Sequence, residues 1–121
     1  MDLDLNRIAR HRTIDLTTTG RKSGRPSRIE IWWFRVDDRF IISGTPGRRD
    51  WVANVLADPR VTVHVDGEDI PARAVPIDDP DFRRRFFTQP ATSWYSSQAQ
   101  LDGLVASAPM VEIVFRPDPE A

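Results

Sequence analysis

Residues 20–25, Gly-Arg-Lys-Ser-Gly-Arg, pack two glycines, a hydroxyl and three cations into six positions, and Arg28 adds a fourth cation with no acid between. Lys22 is the only lysine; the other sixteen basic residues are arginines. Glycines let a backbone turn sharply and aim its N–H groups at one point, so this stretch has the makings of a phosphate or carboxylate cradle. Its other reading is an exposed hairpin turn with a solvated, charged tip. A Walker A loop is excluded, because no lysine follows the second glycine and no glycine stands five positions before it.

A second stretch of similar type, Gly44-Thr45-Pro46-Gly47-Arg48-Arg49, occurs downstream, and four tryptophans (Trp32, Trp33, Trp51, Trp94) are spread around the two. Rings of this kind can wall a flat, conjugated ligand whose anionic tail the loops would hold. Trp33 and Trp51 read as core residues. Trp32 alternates with Trp33, so it looks away from that core, toward a ligand cavity or a subunit interface. Of the two histidines, His64 lacks any nucleophile-elbow sequence and reads as a strand-surface or interface residue. The acids Asp37, Asp38, Asp66, Asp78 and Asp79 fall at turns and caps, so no metal site is expected.

Bulk properties exclude several classes. The 121 residues suit one domain, 1–121, with 40% hydrophobic and 29% charged residues. A net charge of −1 and a pI near 6.1 argue against a nucleic-acid binder. Without cysteine there is no disulfide, thiolate nucleophile or zinc–thiolate site. No apolar run has the length of a membrane span and no signal-peptide core is visible, so the expected location is cytoplasmic.

The elements that must position these loops follow from patterning. Residues 1–12 carry a weak helical pattern. Thr13–Thr19 is a β-branched strand; 27–36 reads as one strand with large apolar groups on both faces, hence buried on both sides or lining a cavity. Asp37-Asp38 turns the chain into Arg39–Ser43. Asp50 is placed to cap a helix over 51–57, on which Trp51, Asn54 and Val55 share a face, and Asp58-Pro59 ends it. A strand over 60–66, the Asp66-Gly67 turn and a strand over 68–75 come next, with Pro71 marking an edge or bulge. Asp79-Pro80 opens a helix over 81–88, with Phe82 and Phe86 inward and Arg83, Arg84 and Arg85 over the rest. Residues 89–108 carry little signal, and 110–115 closes the sheet. The expected fold is mainly β (α+β): a six-stranded antiparallel barrel with two to four short helices.

Residues 16–26 (Leu-Thr-Thr-Thr-Gly-Arg-Lys-Ser-Gly-Arg-Pro), the hairpin through Phe40-Ile-Ile-Ser43, and 50–63 (Asp-Trp-Val-Ala-Asn-Val-Leu-Ala-Asp-Pro-Arg-Val-Thr-Val) together resemble the deazaflavin-dependent nitroreductase family. The likeness runs from about 14 to 65 and returns at 108–117. It implies a split β-barrel related to FMN-binding reductases, a homodimer, and coenzyme F420, a deazaflavin with a ribityl-phosphate tail ending in lactate and glutamates. On the family pattern Gly20, Arg21, Lys22, Ser23, Gly24 and Arg25, with Ser27 and Arg28 after the proline, would hold the phosphate and tail. Ser43, Gly44, Thr45, Pro46 and Gly47 would run along the ring system, and Trp51 to Asn54 would complete the pocket. Two departures stand out: Ser27 replaces the arginine that often follows the proline, and the second loop is short and lacks the usual lysine, for whose charge Arg48 or Arg49 is a candidate replacement.

The implied reaction is hydride transfer from the reduced deazaflavin to a small electron-poor acceptor: a quinone, an enone or a nitroaromatic. The cofactor carries the chemistry, so no protein nucleophile is needed. Trp32 and Tyr95 are the acceptor-side candidates, Tyr95 as a hydrogen-bond or proton donor, with Trp94, Ser97 and Gln98 nearby in sequence. Two alternatives are an FMN-dependent reductase on the same barrel and a non-catalytic carrier of a flavin or deazaflavin.

Overall fold

The computed structural model describes residues 4–44, 47, 49–97 and 100–115. In chain order the elements are α1 (Leu5–Ile8), β1 (Thr13–Thr19), β2 (Pro26–Trp32), β3 (Phe34–Val36), β4 (Arg39–Ser43), α2 (Asp50–Ala57), β5 (Arg60–Val65), β6 (Glu68–Pro76), α3 (Pro80–Thr88), a 3-10 segment (Pro90–Ser97), α4 (Leu101–Ser107) and β7 (Met110–Val114). All strand pairs are antiparallel. They form one sheet in the order β2-β1-β5-β6-β7-β4-β3.

The two edge strands, β2 and β3, are consecutive in the chain and separated only by Trp33. A sheet whose opposite edges are joined by one residue must curl on itself, which makes it a split barrel. The expected single strand over 27–36 is therefore two, and seven strands among the described residues replace the expected six. Trp32 still pairs with Thr13 of β1, whereas Phe34 pairs with Ile41 of β4. Trp33 lies between the ladders, and its backbone N–H donates to the Arg12 carbonyl at 3.0 Å. Its indole Nε1–H donates to the His11 carbonyl at 2.7 Å, and its ring stacks on Phe40 with centroids 4.4 Å apart.

Alternation decides what fills the barrel. Ile14 and Leu16 of β1, Val61, Val63 and Val65 of β5, Ala72 and Ala74 of β6, and Val111 and Ile113 of β7 point inward, and Trp51 and Val55 of α2 pack on them. A second core forms outside the sheet, where Ile41 and Val36 meet Phe82, Phe86 and Phe87 of α3, Tyr95 and Leu104. β2 is not buried on both sides: its residues are exposed apart from the half-buried Ile29 and Ile31. An edge strand at the mouth of a split barrel has only one neighbour to cover it.

Most punctuation falls where the residue types place it. Asp37 and Asp38 have φ of 52° and 61°, and Asp66 and Gly67 have 54° and 72°, as two-residue hairpin turns require. Pro71 sits inside the sheet, between β5 and β7, but β7 pairs only with residues 73–76 of β6. At Pro71 the ladder is one-sided, so the missing N–H costs nothing. Asp50 is not the cap of α2: it is the first helical residue, Arg49 precedes it in extended conformation, and no side chain caps the helix. Asp79 caps α3 by accepting from the Asp81 N–H, with Pro80 in the first turn.

Arg83 corrects the solvated-arginine reading of α3. It is 8% exposed and donates to the carbonyls of Ile77 (2.8 Å), Val105 (2.6 Å) and Ala108. The 3-10 segment and α4, unreadable in sequence, cover this side of α3 and supply orphan carbonyls from the end of α4. Among the described residues no helix is long and apolar enough to cross a membrane. Trp33→Ala removes the ring that closes the barrel; urea unfolding should show a loss of about 3–5 kcal/mol, the usual cost of an aromatic-to-alanine cavity.

Candidate functional site

The 20–25 loop is a hairpin connection shaped by its own backbone. The Gly20 N–H donates to the Arg25 carbonyl and the Gly24 N–H to the Gly20 carbonyl, each at 2.8 Å. A Cβ on Gly20 would stand 2.7 Å from Ser23 Oγ and 3.2 Å from the Arg25 carbonyl, and Gly24 has φ of +71°. Both positions need glycine: one for close approach, the other for the left-handed region. Ser23 Oγ accepts from the Arg25 N–H at 3.1 Å, which fixes the second half of the loop.

A buried amide ties this loop to the rest of the molecule. Asn54 on α2 is 4% exposed. Its Oδ1 accepts from the Arg21 N–H at 3.1 Å and from Arg21 Nη1 at 2.9 Å. Its Nδ2 donates to Thr18 Oγ1 at 3.0 Å. Arg21 also reaches the exposed Asp50 carboxylate at 3.3 Å. Arg21 and Asn54 are thus committed to partners within the protein, while Lys22 and Arg25 are exposed and, among the described residues, have no ion-pair partner. Arg28 leaves the loop: it pairs with Asp15 at 2.8 Å on the outer face of the sheet. Ser27, opposite Thr18, is exposed on β2. Beside the loop lies an open cleft of about 370 Å³ that includes Thr17, Thr19, Gly24, Arg60 and Thr62. Arg60 forks onto Asp58 at its rim, and this hydrogen bonding holds the Asp58 carboxyl down at about 2.

The second loop leads directly into the N-terminus of the same helix. Ser43 Oγ donates to the Pro109 carbonyl at 2.5 Å. Gly44 is buried, and a Cβ there would meet the Arg49 guanidinium at 3.3 Å, so the missing side chain admits that group against the loop. Gly47 stands exposed, also near Arg49. Thr45, Pro46, Arg48 and Gln98 lie outside the described residues, as do the side chains of Trp94 and Ser97. Trp51 is core, 8% exposed. The α2 helix therefore has the 44–49 loop at its N-terminus and the 20–25 loop one turn on, about 6 Å further along its axis.

The two acceptor-side candidates come out differently. Tyr95 is 4% exposed, packed against Phe34, Phe86 and Phe87, with its hydroxyl directed at the Ser43 carbonyl 3.5 Å away. Burial pushes its phenol above the usual tyrosine value, against a smaller opposing effect from the Arg49 charge. Trp32 is 46% exposed. It walls an open cleft of about 520 Å³ together with Arg12, Trp33, Phe34 and Ala91. Phe34 stands between the candidates, facing the cleft and packing on Tyr95. Trp32 is about 20 Å from Pro26 along β2. Sequence reasoning missed Thr18 as the acceptor for Asn54 and Arg12 as a cleft wall. A β-branched run hides the first; the second needs the Trp33-to-Arg12 backbone bond, which no local pattern encodes.

The model of a family described as F420H(2)-dependent quinone reductase matches residues 6–106. Among solved structures, an F420-H2 dependent reductase (FDR-A) is similar at 18% identity, with TM-score 0.64, covering 85% of this chain and 94% of that one. A Listeria innocua protein named for pyridoxamine 5′-phosphate oxidase is similar at 14% identity, TM-score 0.69, covering 93% and 90%. A chain described as a domain-swapped dimer is similar at 20% identity, TM-score 0.63, covering 85% and 80%. At these identities the structural likeness establishes the split barrel.

Asn54→Ala should cost about 2–4 kcal/mol in urea unfolding, because it strands the buried Thr18 hydroxyl and the part-buried Arg21 N–H and leaves a cavity under the loop. Tyr95 is the chain's single tyrosine, so ultraviolet titration reads it alone. Its folded pKa lies above the unfolded value of about 10, so the neutral phenol's contribution is fully present below pH 10 and is lost as pH rises through the folded value. Phenolate absorbance should lag that of a free tyrosine and catch up on denaturation; coincident curves would contradict the burial.

Proposed function

The chain belongs to the F420H(2)-dependent quinone reductase family and is a reductase whose cofactor is coenzyme F420, and on that premise we propose that it passes a hydride to a small electron-poor acceptor, a quinone foremost and an enone or nitroaromatic by the same chemistry, seated in the Trp32–Phe34 cleft. The observation that carries this reading is the state of the 20–25 loop. Its fold is locked through Asn54, yet Lys22 and Arg25 are left exposed and, among the described residues, without carboxylate partners. A rigid loop with spare cations suits a phosphate and a run of carboxylates, with the arginine giving forked hydrogen bonds and the lysine a point charge.

Residue roles follow. Lys22, Ser23, Gly24 and Arg25 face the tail. Arg21 and Asn54 hold the loop at the right height. Ser43, Gly44 and Arg49 border the place for the ring system, and Thr45, Pro46 and Gly47 continue it by sequence. When bound, the reduced cofactor supplies the hydride. The quinone takes that hydride and one proton to become the hydroquinone, and the proton comes from water at the open mouth of the cleft. Tyr95 supports Phe34 and Ser43 from behind, since its hydroxyl faces the Ser43 carbonyl. Trp32 and Phe34 offer flat apolar walls that orient a flat acceptor.

The reading carries with it a homodimer and a cytoplasmic location. In favour of a dimer, the outer face of β2, β1, β5 and β6 is strand surface with Thr17, His64 and Asp69 hydrogen-bonded in line along it. The similar chain described as a domain-swapped dimer points the same way.

Titration of the purified protein with oxidised F420 and with FMN tests the assignment. F420 should bind more tightly, and Lys22→Ala with Arg25→Ala should weaken it by about tenfold or more. The same double variant should hold its stability within about 0.5 kcal/mol, as both side chains are exposed. Tight FMN binding with no response to F420, or an unchanged affinity in the double variant, would remove the tail site.

A further inference from the structure

Among the described residues, Arg12 is the one charged wall of the Trp32–Phe34 cleft, and the proposed function makes no use of it. The other described lining residues, Trp32, Trp33, Phe34 and Ala91, are apolar. The side chain is exposed, and among the described residues no carboxylate pairs with it, although neighbouring arginines do find partners: Arg7 on Asp66 and Glu68, Arg35 on Asp38. Its backbone position is fixed, because its carbonyl accepts the N–H of Trp33 at 3.0 Å at the point where the sheet closes. The residue is thereby attached to the cleft by the same bond that seats the Trp33 ring.

A guanidinium beside aromatic faces recognises a particular class of molecule. The rings favour a flat, conjugated body; the fork favours an oxyanion at the rim of that body, in line with the ring plane. We infer that the cleft selects planar acceptors bearing an acidic substituent, such as a carboxylated or sulfonated quinone, and that Arg12 is the residue that reads the substituent. This rests on the proposal that the cleft is the acceptor site. The electrons and protons of the reaction are unchanged: the anionic group takes no part in the transfer and serves only to hold the ring. Arg12 is distinct in this from Lys22 and Arg25, which lie at the other end of β2.

The test compares menadione, which is neutral, with 1,4-naphthoquinone-2-sulfonate, which is anionic, using F420H2 as donor to the wild type, Arg12→Ala and Arg12→Lys. Arg12→Ala should raise KM for the sulfonate about tenfold, the loss of one charge-assisted hydrogen bond, and leave KM for menadione and the affinity for oxidised F420 unchanged. Arg12→Lys should recover part of the loss. Equal effects on both acceptors, or none on either, overturn the inference while leaving the reductase reading in place. Quenching of tryptophan fluorescence by the sulfonate, followed without cofactor, separates the two failures. If neither quinone is turned over, weaker quenching in Arg12→Ala still supports anion selection by the cleft, and identical quenching overturns it.

Discussion

The side-chain amide of Asn54 is the constraint on which the site depends. It is buried, so each of its polar atoms must be satisfied within the protein. Oδ1 takes two donors from Arg21 and Nδ2 gives one to Thr18, so a single residue joins the end of β1, the 20–25 loop and the second turn of α2. A loop of glycines and cations left to itself would be pulled open by charge repulsion and backbone entropy. Here one of its cations is turned inward as a fastening, and the two that remain outward are held on a fixed frame.

The second constraint is the passage of the chain from one edge of the sheet to the other through Trp33. Continuing the β3–β4 register by two residues would set Trp32 against Ser43; instead Trp32 stays on β1 and the seam opens. That opening exposes Trp32 and Phe34 as the walls of a cleft. The fold thus has a polar end at the glycine loop, fastened to α2, and an aromatic recess at the seam. A cofactor with a flat ring and an acidic tail has the same two-ended character.

Much of this was legible in the residues. The strands of β1 and β5 announce themselves by alternation of β-branched and polar residues, and the Asp-Asp and Asp-Gly turns by residue type. The face of α2 bearing Trp51, Asn54 and Val55 follows from helical spacing. The break at Trp33 was hidden, because a strand that changes partners keeps its period of two across the change. Arg83 was hidden because three arginines in a row read as solvated until α4 supplies carbonyls for one of them. Asn54 was read as a pocket residue, and its spacing from Trp51 did place it inward; only the fold shows that its partners are Arg21 and Thr18. The fold as a whole followed from the resemblance in residues 14–65, where both glycine loops and α2 lie, whereas 89–108 carried no comparable signal.

The central claim is that the 20–25 loop reads the anionic tail of the cofactor. The most direct measurement sets the affinity of the wild-type protein for F420 against its affinity for the phosphate-free ribityl deazaflavin, at one ionic strength. If Lys22, Arg25 and the loop N–H groups hold the tail, the full cofactor should bind about a hundredfold more tightly, equivalent to two charge-assisted hydrogen bonds. Equal affinities for the two would contradict the account.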